Sequence, residues 1–182
     1  MALTKETEDY IAGWKQHVAS CLNEGDVDLM FDKFRALFQI YNRLYNEVSL
    51  RLGEKQTDRK GATSHVVQYL TPDALVASIE GTEKTTEAEL QLREFVRQHT
   101  YHFVLVGEQY EPSNKEDVEL LKKMQSADNR VRMEGLLLLI YNVRCNLFHG
   151  QKHLHPRQLP LMRAVIPILE LIVSNTEEKL RA

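Results

Sequence analysis

Met133 to Lys152 reads MEGLLLLIYNVRCNLFHGQK, and it combines the most apolar run of the chain with its tightest cluster of candidate catalytic side chains. Apolar residues recurring at i, i+3, i+4 and i+7 mark an amphipathic helix. Leu136, Ile140, Val143 and Leu147 make one such stripe; Leu137, Tyr141 and Phe148 make a second, interrupted by Arg144. Asn142, Asn146 and His149 form a polar edge, within about 60° of one another at 100° per residue. A helix apolar on most sides belongs at the centre of a bundle, so the amides, imidazole and guanidinium on it need partners or a purpose. Gly150 supplies the expected C-terminal stop.

The rest of the chain agrees with a helical protein. Its 8 glycines and 5 prolines fall mostly between apolar-periodic segments, while Leu, Glu, Gln, Lys and Arg dominate the segments themselves. The expectation is one all-α domain over residues 1–182, an up-and-down helical bundle with additional short helices. A net charge of −3 argues against a protein that grips nucleic acid with its whole surface and leaves room for a local basic patch. Cys21 and Cys145 are far apart, with no CxxC pair, which points to a reduced, cytoplasmic setting. The stretch MALTKETEDYIAG is acidic and polar and lacks the basic and apolar regions expected of a secretion signal. Leu136 to Ile140 is too short to span a bilayer, and the apolar C-terminal stretch carries Arg163, Glu170 and two prolines, so no membrane segment is expected.

In chain order, helices are expected over Thr4 to about Leu22 and from Asp26 to about Leu52. The second carries a wide stripe including Phe34, Phe38, Tyr41, Leu44, Tyr45 and Val48. Gly53 to Ser64, GEKQTDRKGATS, lacks periodicity and reads as a surface loop. A short helix follows over His65 to Leu70. Another starts at Thr71 and Pro72. Thr86 with Glu89 has a capping-box pattern for a helix from about Glu87 to Val106. Glu108 to Asn114 reads as a loop. Ser113 with Glu116 starts a helix ending near Ser126, Asp128 caps the central helix, and the last helix runs from about Pro160 to Lys179.

Arg144 and His149 form an Arg-x-x-x-x-His pattern. Arg97 and His102 have the same spacing, so spacing alone does not select a site. Context does: only the Arg144 match ends the most apolar helix, has amides on the histidine side, stops at a glycine and is followed by Lys152. The string Tyr-Asn-Val-Arg-Cys-Asn-Leu-Phe-His-Gly-Gln-Lys resembles the signature helix of HEPN domains (higher eukaryotes and prokaryotes nucleotide-binding). Phe34 to Tyr45, FRALFQIYNRLY, is similar to the aromatic-rich helix these domains place near their N-terminus. The likeness is closest to stand-alone bacterial branches carrying Arg-x-Asn-x-x-His-Gly, matched here by Arg144, Asn146 and His149. Many catalytic members have a polar residue directly after the arginine, where this chain has Cys145.

The resemblance implies an all-α bundle that dimerises so that two motifs face a shared cleft. It implies metal-independent RNA cleavage of a toxin or defence type, no cofactor, and a protein partner such as an antitoxin or a nucleotidyltransferase-like protein. The chemistry is coherent without a metal: an imidazole titrating near neutrality serves as base or acid, and a guanidinium holds two phosphate oxygens with a rigid fork. Asn146 would orient His149 or donate to the phosphate. Asn142, Lys152, His153 and Arg157 would hold the substrate, the last three, with His155, as a basic rim. His149, His153 and His155 lack a carboxylate or cysteine at ligand spacing, so no metal site is expected.

On an ideal helix Arg144 and His149 are about 140° apart in azimuth and about 7.5 Å apart in rise. One straight helix therefore does not close the site. A second protomer supplying its own motif across a twofold axis would close it, as would loosening of the helix at Gly150. Blander readings compete. His149 would be a helix C-terminal histidine stabilised by the dipole, Arg144 an ion-pair partner for a glutamate, and Asn142 and Asn146 caps of buried carbonyls. A non-catalytic HEPN-like module would keep the cleft for RNA, nucleotide or a protein, and a purely structural dimerisation domain would use the motif for stability alone.

Overall fold

Asp26 begins the organising element of the fold. Its carboxylate accepts from the backbone N–H groups of Asp28 (2.9 Å) and Leu29 (3.2 Å), satisfying two donors that open a helix without partners. The helix that follows, α2 (Val27–Arg51), buries Phe34, Phe38, Tyr41, Leu44, Tyr45 and Val48 along the expected stripe. The computed structural model describes residues 3–21, 23–107, 111–148 and 155–182. Helix α1 (Lys5–Ser20), capped by Thr4, lies along α2 and buries Thr7 and Ile11 against it.

The stretch expected to be a surface loop is largely helical. Asp58–Lys60 (α3) runs into a π-helical turn, Gly61–His65, and then into α4 (Val66–Leu70). The reason lies in small residues rather than periodicity. A Cβ on Gly61 would stand 2.7 Å from Cδ2 of Tyr45, so only glycine lets this turn approach α2 so closely. The Tyr41 hydroxyl then donates to the Ala62 carbonyl at 2.6 Å, and Ser49 Oγ lies 2.8 Å from His65 Nδ1. Gly61, Ala62, Thr63 and His65 are all buried.

Helix α5 (Pro72–Glu80) starts at the expected proline. The next helix is shifted from its expected place: α6 spans Glu83–Arg97 with Thr82 as its cap. Thr82 Oγ1 accepts from the Thr85 N–H (3.2 Å), while Thr85 and Thr86 hydroxyls turn back to the Ile79 carbonyl. Glu89 is drawn into ion pairs instead of capping. The helix ends well before Val106, because His99 takes a left-handed conformation (φ 50°) and the Thr100 N–H bonds back to the Phe95 carbonyl. Leu105–Val106 (β1) and Glu111–Pro112 (β2) then pair as a minimal antiparallel ladder where helix and loop were expected.

Helix α7 (Asn114–Met124) begins at Ser113 as expected. Asp128 accepts from the N–H groups of Arg130 and Val131 and so caps the central helix α8 (Asn129–Phe148). A 3-10 turn, Pro156–Gln158, leads into α9 (Leu159–Arg181), which packs on α2 and α6. Residues 156–181 are long and apolar enough to cross a membrane by length and composition, but most of the apolar part is buried inside the fold. This element behaves as a core helix: Ile168, Leu169 and Ile172 are essentially inaccessible. The described residues form an all-α protein apart from the two-residue strands.

Candidate functional site

The polar residues of α8 divide between two sides of the helix. Positions 142, 145 and 146 cluster on one side at helical spacing, and position 144 lies about 160° from 146. Asn142, Cys145 and Asn146 accordingly line a cleft of about 290 Å³, with Phe103, Leu120 and Arg59 among its other walls. Arg144 faces α2 instead.

Arg144 is half-buried, and its guanidinium carbon stands 5.6 Å from the centroid of the Phe38 ring. This is a cation–π seat on a ring that is itself 2% exposed, and partial desolvation strengthens such contacts. Tyr45 and Tyr141 stand beside it. Burial pushes the Tyr45 phenol well above its ordinary range, with the nearby Asp58 carboxylate adding to the effect and the Arg144 charge opposing it. Burial likewise pushes Tyr141 up to about 12, with Cys145 and Asp58 reinforcing and Arg144 opposing. Both phenols therefore stay protonated at neutral pH and act as donors; Tyr45 points its hydroxyl at Asp58 Oδ1 at 3.4 Å. Arg144 Nη1 also lies 3.9 Å from Cys145 Sγ.

Asn146 is buried and already engaged. Its side-chain amide donates to the carbonyls of His102 and Phe103, both at 3.2 Å. The same segment is gripped from its other side by Asp117, whose Oδ1 accepts from the N–H groups of Phe103 (3.2 Å) and Val104 (2.9 Å). A chain that leaves α6 without regular structure has buried backbone groups to satisfy, and these two side chains satisfy four of them. Burial raises the Asp117 pKa, opposed by the two backbone hydrogen bonds and by His102 and His99. His102 Nδ1 lies 3.8 Å from Asp117 Oδ2.

Of the remaining expected site residues, Arg157 is exposed on the 3-10 turn; its N–H donates to His155 Nδ1 and its carbonyl accepts from Tyr101. Gln158, its neighbour, shares a small pocket with Asn146 and Leu147, so Arg157 sits beside the last turn of α8. His149, Lys152 and His153 lie outside the described residues. The structure thus brings Asn142 and Asn146 together, places Arg144 on another side, and sets Arg157 nearby.

The sequence places Tyr141 on the stripe that Arg144 interrupts, three residues before it on the same helix, whereas Phe38 and Tyr45 as surroundings of Arg144, and Asp117 as the counterpart of Asn146, went unrecognised. Asp117 carried no local signal, because it serves a backbone segment more than a dozen residues before it. Compared with known proteins, the chain matches no family model, no curated protein and no solved structure.

Proposed function

We propose that the chain is an HEPN-like endoribonuclease that cleaves RNA without a metal, acting as a homodimer in which Arg144 and His149 of the two copies meet in a shared cleft. The observation that carries the reading is the seat of Arg144. An arginine held on the Phe38 face, with two protonated phenols within reach of its charge, would be oriented in advance for the equatorial oxygens of a phosphate under attack. In this reading His149 takes the proton of the RNA 2′-hydroxyl as its oxygen attacks the adjacent phosphorus. The 5′-oxygen of the following nucleotide leaves with a proton returned by an imidazole, and the products end in a 2′,3′-cyclic phosphate and a 5′-hydroxyl. Asn142, Lys152, His153 and Arg157 would hold the strand. Two free thiols, Cys21 and Cys145, suit a reducing cytoplasm.

A second reading rests on Asn146. Its amide serves the His102 and Phe103 carbonyls, so the middle residue of the Arg-x-Asn-x-x-His string has a sufficient structural job. The motif would then be retained in a non-catalytic module that binds RNA, nucleotide or a protein such as an antitoxin.

Incubation of the wild type with RNA in excess chelator, beside His149→Ala and Arg144→Ala, separates the two. Cleavage by the wild type alone, with cyclic-phosphate ends, is the expected result. RNA retardation in a gel without turnover selects the binding module, and equal cleavage by all three proteins removes the motif from the chemistry.

A further inference from the structure

On the side of α8 away from Arg144, the helix is the floor of a groove walled by α3 with its π-helical turn and by α7. The groove consists of two cavities, of about 290 and 430 Å³, and Arg59, Lys123 and Leu138 line both. The two cations therefore stand where the cavities adjoin, with Leu138 as a shared apolar floor.

Both walls are set by backbone packing. Gly61 lets the π-helical turn lie against Tyr45, and a Cβ on Gly135 would stand 2.8 Å from Cβ of Lys123 and 3.0 Å from the Met124 nitrogen. Glycine at 135 thus brings the end of α7 down onto α8 and fixes where Lys123 emerges.

The charges around the groove are unevenly matched. Glu119 is paired with Lys122 at 2.7 Å and Glu134 with Arg130 at 3.1 Å, so two of its carboxylates already have cations. Glu116 sits in the first turn of α7, where the helix N-terminus favours its charge. Arg59, Lys60 and Lys123 make no ion pair within 4 Å among the described residues, while Lys123 adds at longer range to the positive charge that Lys122 and Lys115 place on Glu119. Like charges gathered over an apolar floor repel, and an anion placed between them relieves that repulsion. The walls also present the Asn142 amide and the Ser64 hydroxyl for orientation.

We infer that this groove binds a small phosphate ester, its phosphate held between Arg59 and Lys123 with Lys60 adjacent, and its organic part seated on Leu138 and Leu120. A guanidinium fork plus two ammonium groups matches a dianion with three terminal oxygens better than a carboxylate with two. The cavity sizes are of the order of the roughly 300–1,000 Å³ of small-molecule sites. The site shares Asn142 with the RNA-cleaving reading and differs from it in its anion-holding residues, since Arg59, Lys60 and Lys123 take no part in that reading.

Cys145 provides the reporter, since it is half-buried and lines the 290 Å³ cavity. In a Cys21→Ser background, alkylation of Cys145 by iodoacetamide is followed with phenyl phosphate or benzoate at constant ionic strength. Phenyl phosphate at ten times its Kd is expected to slow alkylation roughly tenfold and to raise Tm, with benzoate doing neither. Protection disappears in Arg59→Gln/Lys123→Gln, whose helical circular dichroism is retained because both side chains are exposed. Lys123→Gln alone provides the same comparison if the double variant loses that signal. No protection of the wild type, equal protection by benzoate, or undiminished protection in the variants would overturn the assignment.

Discussion

Replacing Asn146 with alanine removes two hydrogen bonds and leaves the His102 and Phe103 carbonyls without their side-chain donor. Each such bond contributes about 0.5–1.5 kcal/mol net, with the larger value where a buried partner is left unsatisfied. Asn146 is only 8% exposed, so water does not replace the amide at no cost, and a loss of about 1–3 kcal/mol follows. For a chain of this size that corresponds to a Tm lower by roughly 2–4 °C for each kcal/mol. Urea unfolding with hydrogen exchange measures both the global and the local effect. The midpoint should fall, and the N–H groups of Phe103 and Val104, held on the other side by Asp117, should exchange faster. His149→Ala measured in parallel should leave both quantities close to wild type and abolish RNA cleavage. The contrary outcome is an Asn146→Ala protein that unfolds like the wild type, leaves 103 and 104 protected, and yet loses cleavage as completely as His149→Ala. That pattern would put the Asn146 amide on the substrate and not on the backbone.

Three further perturbations test the frame around the site. Glu89 accepts from Arg132 at 3.0 and 2.6 Å and from Arg93 at 2.5 Å while almost fully buried, so Glu89→Ala leaves guanidinium groups facing a void. It should destabilise by about 3–5 kcal/mol in chemical denaturation, and a smaller deficit would mean that water replaces the carboxylate. Gly61→Ala forces a methyl to 2.7 Å from the Tyr45 ring, and should destabilise by about 1–3 kcal/mol and open the π-helical turn to exchange. Because burial raises the folded-state pKa of Asp117 above that of the unfolded chain, the folded protein binds a proton more readily in the interval between the two values. The contribution of Asp117 is therefore largest below the ordinary carboxylate range and declines as pH rises through that interval. Wild type minus Asp117→Asn, in unfolding free energy, should accordingly fall with rising pH there; a flat or rising difference would contradict the sign.

The long periodic helices were legible because their information is local. The stripe from Phe34 to Val48, the Asp26, Ser113 and Asp128 caps and the Pro72 start all stand in the structure near the expected positions. Residues 53–64 were misread for a different kind of reason: their helical structure depends on contacts with Tyr41, Tyr45 and Ser49, and glycine, alanine and threonine carry no periodic signal of burial. The start of α6 failed on competition between hydroxyls, because Thr82, Thr85 and Thr86 all fit a cap and only the Ile79 carbonyl decides among them. The candidate site was legible as a helix end rich in polar groups. Which of those groups face a ligand and which face the fold was not, because that depends on Phe38, Phe103 and Asp117 from distant segments.

The division of labour along α8 follows from its pitch. Residues two apart on a helix are separated by about 200°, so in Arg-x-Asn the two polar residues must face nearly opposite ways. Here one side meets α2 and the other meets the segment at 102–104, and each residue takes the partner its side offers: Arg144 an aromatic face, Asn146 a pair of carbonyls. A phosphate reaching Arg144 therefore approaches from the α2 side, whereas a ligand in the groove over Asn142 approaches from the α7 side. If the proposed cleavage site is built from two copies around Arg144, their twofold axis is expected near the α2 side of α8. Crosslinking of single cysteines placed on the outer turns of α2 should capture the dimer, and cysteines on α7 should not. Capture through α7 alone would place the groove inside the interface and remove Arg144 from the shared cleft.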